Sequence, residues 1–520
     1  MAKTRKLYGP PGTGKTTTLV EAGVKIAQVL GPDQLGMVTF TVAAADEIKL
    51  RIGQRLGMQP PVGRWERNRY FATRLPWVGT IHSISLRLLG SGLKVITPGS
   101  REMNTFIRSL GGAPSSNVEW SPDDPDSYGW GPGARADDIE DALRVLSMAR
   151  HRMQRIPEVW NDVPWRRDGP AITPERAAFI AQAYTDYKRQ IGMIDFEDMA
   201  ELGREHRLPV RALLVDEVQD NSPLLWSVTD RWADGPEYTM LAGDPYQAIY
   251  IFSGARPDLF INHPGDLKSL GNSRRLTADA AGYAQRLLIS AGYRSGDGWL
   301  GSWTGSQTTE FLDASKHTEF WLARTGTLVN EAARWLEEDG VPYGYVRGGG
   351  PLQTRAAGAF RSLLLLRRQR QIPASLAAGI ADNADPDYFP SYLVNRAKAQ
   401  AREDPERMIP FAELCMAWGR DLDNPAVWLK KGSYFEHITR REGLEPFIVG
   451  PRTQVGTIHS AKGREADVVH LIESWGYLPY RATEEPRGAR AEACVAYVGV
   501  TRHRHRLVME PMGQGYPFPW

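Results

Sequence analysis

Two cysteines in 520 residues, Cys415 and Cys494, are too few for a disulfide framework, a four-cysteine zinc site or an iron–sulfur cluster. No stretch approaches the ~18 to 20 apolar residues that a membrane span needs. The amino-terminal "MAKTRKLYGPPG" has no apolar signal core. One sign of charge does not dominate either: 63 Lys and Arg against 61 Asp and Glu leave a net +2. That excludes a uniformly basic coat and leaves local clusters, such as Arg361 to Arg370, as candidate phosphate contacts. A soluble, cytoplasmic protein with no membrane partner is expected. At this length one core cannot enclose the chain, so two to four domains of about 100–200 residues are expected.

What is present begins with "KLYGPPGTGKTTT", where Gly9, Gly14, Lys15 and Thr16 fit G-x-x-x-x-G-K-[ST] between a strand-like run and a helical one. Glycines let the backbone curl so that its N–H groups face phosphate oxygens, and the helix that follows adds its positive end. Gly9, Pro10, Pro11, Gly12, Thr13, Gly14, Lys15, Thr16 and Thr17 are the expected nucleotide cradle. Lys15 is assigned to the β and γ phosphates and the Thr16 hydroxyl to Mg²⁺. Further on, "LLVDEVQDNS" (Leu213 to Ser222) runs an apolar strand straight into acids. Carboxylates so close need a positive partner. Asp216 is therefore the expected second metal residue, and Glu217 is left to orient and deprotonate the attacking water.

The other stretches come in a fixed order. "MVTFTVAAADEIKLRI" (Met37 to Ile52), "VGTIHSISLRLL" (Val78 to Leu89) and "IDFEDM" (Ile194 to Met199) precede the acidic segment. "LAGDPYQAIYIFSGA" (Leu241 to Ala255), "LGNSRRL" (Leu270 to Leu276), "VGTIHSAKGREADVVHLIE" (Val455 to Glu473) and "VAYVGVTRHRHRL" (Val495 to Leu507) follow it. With these motifs the chain resembles the superfamily 1A helicases, the Rep, PcrA and UvrD-like group, from Gly9 to Arg506.

The resemblance implies an α/β fold of two tandem RecA-like P-loop motor domains with mainly parallel sheets, each carrying a mostly helical insertion. It implies ATP and Mg²⁺ as cofactors, and single-stranded DNA and single-strand/duplex junctions as partners. Replication or repair proteins are further partners of that class, and a monomer able to act alone is expected. Gln247 corresponds to a glutamine that senses the γ phosphate, with Gln219 and Asp220 in the relaying segment. Asp244 is expected as a turn or relay residue. Arg274 and Arg502 correspond to arginines brought to the γ phosphate from the second motor, and Glu465 to a ribose-binding glutamate. Thr39, Thr41, Thr80, His82, Thr457, His459 and Ser460 are the expected DNA contacts. Of the aromatics in "IYIFSGA", Phe252 is the expected base contact and Tyr250 packs. "HSAKG" and "YVGVTR" imply movement 3′ to 5′.

Departures from the family pattern carry expectations too. Only eight residues precede Gly9, where relatives have a glutamine-bearing adenine reader, and Ser273 replaces an aromatic that stacks on adenine. Relaxed base selectivity is expected. Val42-Ala43 and Ser253 replace polar or cationic DNA contacts, for which Arg256 is a candidate substitute. His503 and His505 follow strand alternation and lack further metal ligands.

The expected layout is a first motor at residues 1–90 and 190–270 with an insertion at 91–189. The second motor spans 271–350 and 449–520 with a shortened insertion at 351–448. Two other functions fit the motifs: a translocase that strips proteins and unwinds weakly, and a nucleotide-switched DNA-binding subunit.

Overall fold

The computed structural model describes residues 3–90, 92–112, 138–163, 172–293, 302–307, 317–385, 390–418, 429–511 and 516–520. Its contacts divide the chain into two compact units. The first is Met1–Thr309 with Tyr477–Thr501 and Pro519–Trp520, and the second is Glu310–Gly476 with Arg502–Phe518. Residues 271–309 and 477–501, which the motif-based layout gives to the second motor, therefore group with the first unit. One reason is local: helix Pro486–Val500 carries Tyr497, whose hydroxyl donates to Asp244 Oδ2 at 3.3 Å.

The first unit is built on a parallel sheet of six strands, β1 (Lys3–Tyr8), β2 (Leu35–Thr39), β3 (Val78–Thr80), β4 (Ala212–Val215), β5 (Tyr238–Gly243) and β6 (Asp266–Ser269), in the order β3-β2-β4-β5-β1-β6. β2 and β4 are buried along their whole length. Continuous apolar runs are what a strand covered on both faces requires. One face packs Leu19 and Val20 of helix α1 (Lys15–Leu30) with Ile48 and Ile52 of α2 (Val42–Arg55). The other packs Ile84 of α3 (Ile81–Leu89) with Leu224, Trp226 and Trp232 from a later helix. Because all the strands run one way, their carboxyl ends lie along one edge, and that edge receives Gly9, Thr39, Thr80, Asp216 and Asp244 together.

The insertion's expected helical stretches, Ala136 to Arg152 and Pro174 to Gln190, appear as α4 (Asp138–Arg152) and α5 (Pro174–Ile191); residues 136 and 137 lie outside the described residues. The two helices enclose a small core of Val145, Ile180, Tyr184 and Phe106. They are tied to α6 (Phe196–Gly203) by a buried charge cluster. Arg150 reaches Asp195 at 3.0 Å, Asp198 at 2.6 Å and Glu201 at 3.0 Å, and Lys188 reaches Asp195 and Asp198 at 2.5 Å each. Asp195 and Asp198 belong to "IDFEDM", and they also form a reciprocal capping box for α6. α7 (Pro223–Ala233) then starts from a Ser222 cap.

The second unit has its own parallel sheet, of β7 (Glu319–Ala323), β8 (Tyr343–Tyr345), β9 (Thr453–Thr457), β10 (Ala466–Ile472) and β11 (His503–Glu510), ordered β8-β9-β7-β10-β11. Its core joins Val455 and Trp321 to Phe360 and Leu363 of helix Arg355–Gln369 and to Phe435 and Ile438 of helix Gly432–Glu442. Along β11, His503 is buried and His505 half-buried, while Arg504 and Arg506 are exposed. The fold is thus α/β, with two motor-type parallel sheets in tandem.

Candidate functional site

Helix α1 starts from Gly14, which is left-handed (φ 87°) and supplies no side-chain cap. The first N–H groups of the helix are therefore available to an anion. Thr13 Oγ1 donates to the Pro10 carbonyl at 2.7 Å, and the buried Lys15 ammonium donates to the Gly9 carbonyl, so the loop is held as a closed turn. Segment 271–276 rests on it. The Arg274 N–H donates to the Gly12 carbonyl at 3.0 Å and the fully buried Ser273 hydroxyl to the Pro11 carbonyl at 2.7 Å. Gly12 (φ 75°) must be glycine for a second reason: a Cβ there would lie 2.6 Å from Ser273 Oγ. Pro10 and Pro11 are buried and Thr17 is exposed, as is the Arg274 side chain.

Thr16 Oγ1 donates to Asp216 Oδ2 at 2.7 Å, which brings together the two expected metal residues from β4 and α1. Burial, and then the Glu217 carboxylate, push the Asp216 carboxyl up to about 6, against the pull of Thr16 and Lys15. A buried carboxyl short of positive charge beside a hydroxyl is an oxygen donor set suited to a hard divalent ion, so these residues fit Mg²⁺.

Glu217, half-buried, stands in the left-handed region at φ 56°. A non-glycine residue held there costs free energy that surrounding contacts must offset, and such outliers cluster at functional sites. Gln219 supplies those contacts. Its Nε2 donates to the Glu217 carboxylate and to Asp220 Oδ2 at 3.2 Å, and its Oε1 accepts from the Asp244 N–H at 3.0 Å. Gln247 Nε2 donates to Asp244 Oδ2 at 2.8 Å. Asp244, fully buried, has its carboxyl raised mainly by burial, with Lys15 opposing. It is a node of the network.

Beside this network lies a cavity of about 280 Å³ whose walls include Thr39, Thr80, His82, His151, Phe196 and Asp220. Thr39 Oγ1 and His82 Nε2 are buried and lack a hydrogen-bond partner among the described residues. Burial, with His151 nearby, lowers the His82 ring to about 4, so it is neutral at ordinary pH. Thr41 caps α2 by accepting from the Ala44 N–H at 3.2 Å. Tyr250 is buried and stacked on Phe40, with centroids 5.5 Å apart, and Phe252 is half-buried. Arg256 is taken up by Asp258 at 2.7 Å.

The repeated "VGTIHS" folds the same way twice. In the first unit the Ser83 N–H donates to Thr80 Oγ1 at 3.3 Å and Ser83 Oγ to the Thr80 carbonyl at 2.9 Å. In the second, Ser460 makes the same two bonds to Thr457, at 3.1 and 2.7 Å, with His459 buried. Arg502 is buried at the start of β11, its carbonyl accepting from the Ala466 N–H at 3.1 Å. Glu465 is exposed and paired with Arg504 at 2.9 Å, so it is engaged in a surface ion pair.

Phe196 and His151 are among the wall residues that the sequence did not single out as site residues. Phe196 lies inside a recognised motif, where its ring was the available signal. His151 comes from the insertion, 71 residues before its partner Ser222, and nothing in the linear sequence marks it.

A phosphate loop and an acidic pair at the carboxyl ends of β1 and β4 of one parallel sheet, with a second sheet of the same kind in the chain, define a P-loop motor ATPase. The UvrD/REP helicase N-terminal domain model matches residues 1–268 and the UvrD-like helicase C-terminal domain model matches residues 438–512. The chain belongs to the UvrD/REP helicase family and is a DNA helicase of that kind. It is 24% identical to the ATP-dependent DNA helicase UvrD2 of Mycobacterium tuberculosis over 96% of this chain and 75% of that protein. It is 23% identical to DNA helicase II of Haemophilus influenzae over 96% of this chain and 80% of that protein. The putative ATP-dependent DNA helicase YjcD of Bacillus subtilis, 23% identical, covers 55% of this chain and 34% of its own length. No helix among the described residues is long and apolar enough to cross a membrane.

Proposed function

We propose that this chain hydrolyses ATP to move 3′ to 5′ along single-stranded DNA and to unwind duplex at junctions. The observation that carries this reading is the unbroken chain of contacts from Thr16 and Asp216 through Glu217 and Gln219 to Asp220, which lines the cavity. Gly9 to Thr17 hold the phosphates, and Thr16 and Asp216 hold Mg²⁺, which when bound screens the phosphate charge. Glu217 takes the proton of the attacking water. Gln247 reports the γ phosphate through Asp244, and Arg274 and Arg502 stabilise charge on the transferred phosphoryl. Thr39, Thr80, His82 and Phe252 grip the strand in the first motor, and Thr457, His459 and Ser460 in the second. Alternate opening and closing of the two motors turns hydrolysis into steps.

Two partial duplexes test it, one with a 3′ tail and one with a 5′ tail. Displacement from the 3′-tailed duplex alone is expected. Displacement from the 5′ tail alone reverses the polarity. Failure on both, with streptavidin removal retained, assigns the chain to protein stripping; without it, to a nucleotide-switched binder.

Ser273 bears on the nucleotide. Its side chain is turned into the phosphate loop, so it offers no face to a base. Stacking of this kind is worth about 1–3 kcal/mol, and without it ATP, GTP and CTP are expected to agree in kcat/KM within about tenfold. A preference for ATP above about a hundredfold, in the same steady-state assay, would show that another group reads adenine.

A further inference from the structure

Among the described residues of the insertion, 91–189, only His151 is one of those that wall the cavity. It sits at the end of α4 and touches three motif segments. Its Nδ1 lies 2.9 Å from Ser222 Oγ, two residues past the Val218–Asp220 turn. Gly254 (φ 101°), which closes the Ile251–Ser253 turn bearing Phe252, lies beside this end of α4, where a Cβ on it would come into ordinary contact with His151, Arg152 and Met148. It shares the cavity wall with His82, which it neighbours electrostatically. On its far side Nε2 is 3.7 Å from Glu197 Oε1, which in turn accepts from Ser147 Oγ at 2.6 Å.

This surrounding selects a tautomer. A carboxylate beside Nε2 favours the proton there, which leaves Nδ1 to accept from the Ser222 hydroxyl. Ser222 Oγ meanwhile accepts from the Leu225 N–H at 3.4 Å as the cap of α7. The ring thus joins the acidic segment, the Phe252 turn and the cavity at one point, and it is held there by an insertion helix anchored through Arg150.

We propose that His151 is a positioning residue: by holding Ser222, and with it the end of the acidic segment, at the cavity wall, it couples strand occupancy to the nucleotide site. The inference rests on the motor reading above. It assigns to the insertion a part in ATPase stimulation, in addition to any contact it makes with DNA.

The test uses the full chain with oligo(dT) as the probe, measuring ATPase against oligonucleotide concentration and, without DNA, the KM for ATP. His151→Ala is expected to raise the half-stimulating oligo(dT) concentration by about fivefold to thirtyfold, the upper part of the coupling losses of relay residues, with the DNA-free KM for ATP moving less than about twofold. His151→Asn, whose Oδ1 falls near the Nδ1 position, should recover most of the loss. Ser222→Ala should reproduce it, and the double variant should be no worse than either single one, since both break one bond. Unchanged stimulation in His151→Ala overturns the proposal. So does a parallel loss of ATP binding, or a His151→Asn variant as impaired as His151→Ala. If His151→Ala does not fold, unchanged stimulation in Ser222→Ala overturns it instead. Absence of stimulation in the unaltered chain would count against the motor reading itself.

Discussion

Glu217→Gln is expected to lower the DNA-stimulated turnover of ATP by about 10²–10⁴-fold, the usual worth of a general base. Nucleotide affinity should change little. The amide matches the carboxylate in size, so the left-handed turn and the Gln219 contact have no steric reason to break, but it cannot accept a proton from water. The phosphate contacts come from other residues, Gly9 to Thr17. Turnover in a coupled assay and binding of a fluorescent nucleotide, measured on the same preparation, separate the two effects. Turnover within about threefold of the unaltered chain would mean that Glu217 is idle, and would favour a nucleotide-switched binder.

Arg150→Ala is expected to destabilise the first unit by about 3–5 kcal/mol, the cost of removing one partner from a buried ion network. The arginine side chain is 15% exposed, and Asp195 and Lys188 are 8% and 6% exposed. Without it, Lys188 remains as the cation paired with Asp195 and Asp198, and Glu201 loses its partner Arg150. Burial and the Glu197 charge already push the Asp195 carboxyl up to about 6 against the pull of Arg150 and Lys188. The measurement is the denaturant midpoint of the first unit, followed by the fluorescence of the buried Trp226 and Trp232. Arg150→Lys keeps the charge and loses the forked geometry, so an intermediate midpoint is expected. A midpoint for Arg150→Ala indistinguishable from the unaltered chain would show the cluster to be dispensable.

Much of this was legible in the sequence, because the informative residues are close together along the chain. The phosphate loop needs its glycines at fixed spacing, and a buried parallel strand needs an apolar run, as "ALLV" before Asp216 shows. The helices of the insertion announced themselves by periodicity, to within two residues. What was not legible depends on long-range contact. His151 meets Ser222, and Tyr497 meets Asp244 across 253 residues, and neither pairing leaves a local mark. The left-handed Glu217 was hidden for another reason: the residue type argues against that conformation, which contacts with Asp216, Gln219 and Asp220 help to hold. The bounds of the units followed contacts that motif order does not encode.

Val78–Ser83 and Val455–Ser460 are the same hexapeptide, and both copies make the same pair of serine–threonine bonds. One polypeptide therefore carries its own matched control. A substitution made at Thr80 and then at Thr457 starts from the same residues and the same pair of bonds. What separates the two phenotypes then lies in what surrounds each copy: the helix Ile81–Leu89 with Phe196 and His151 for the first, the short turn His459–Ala461 for the second.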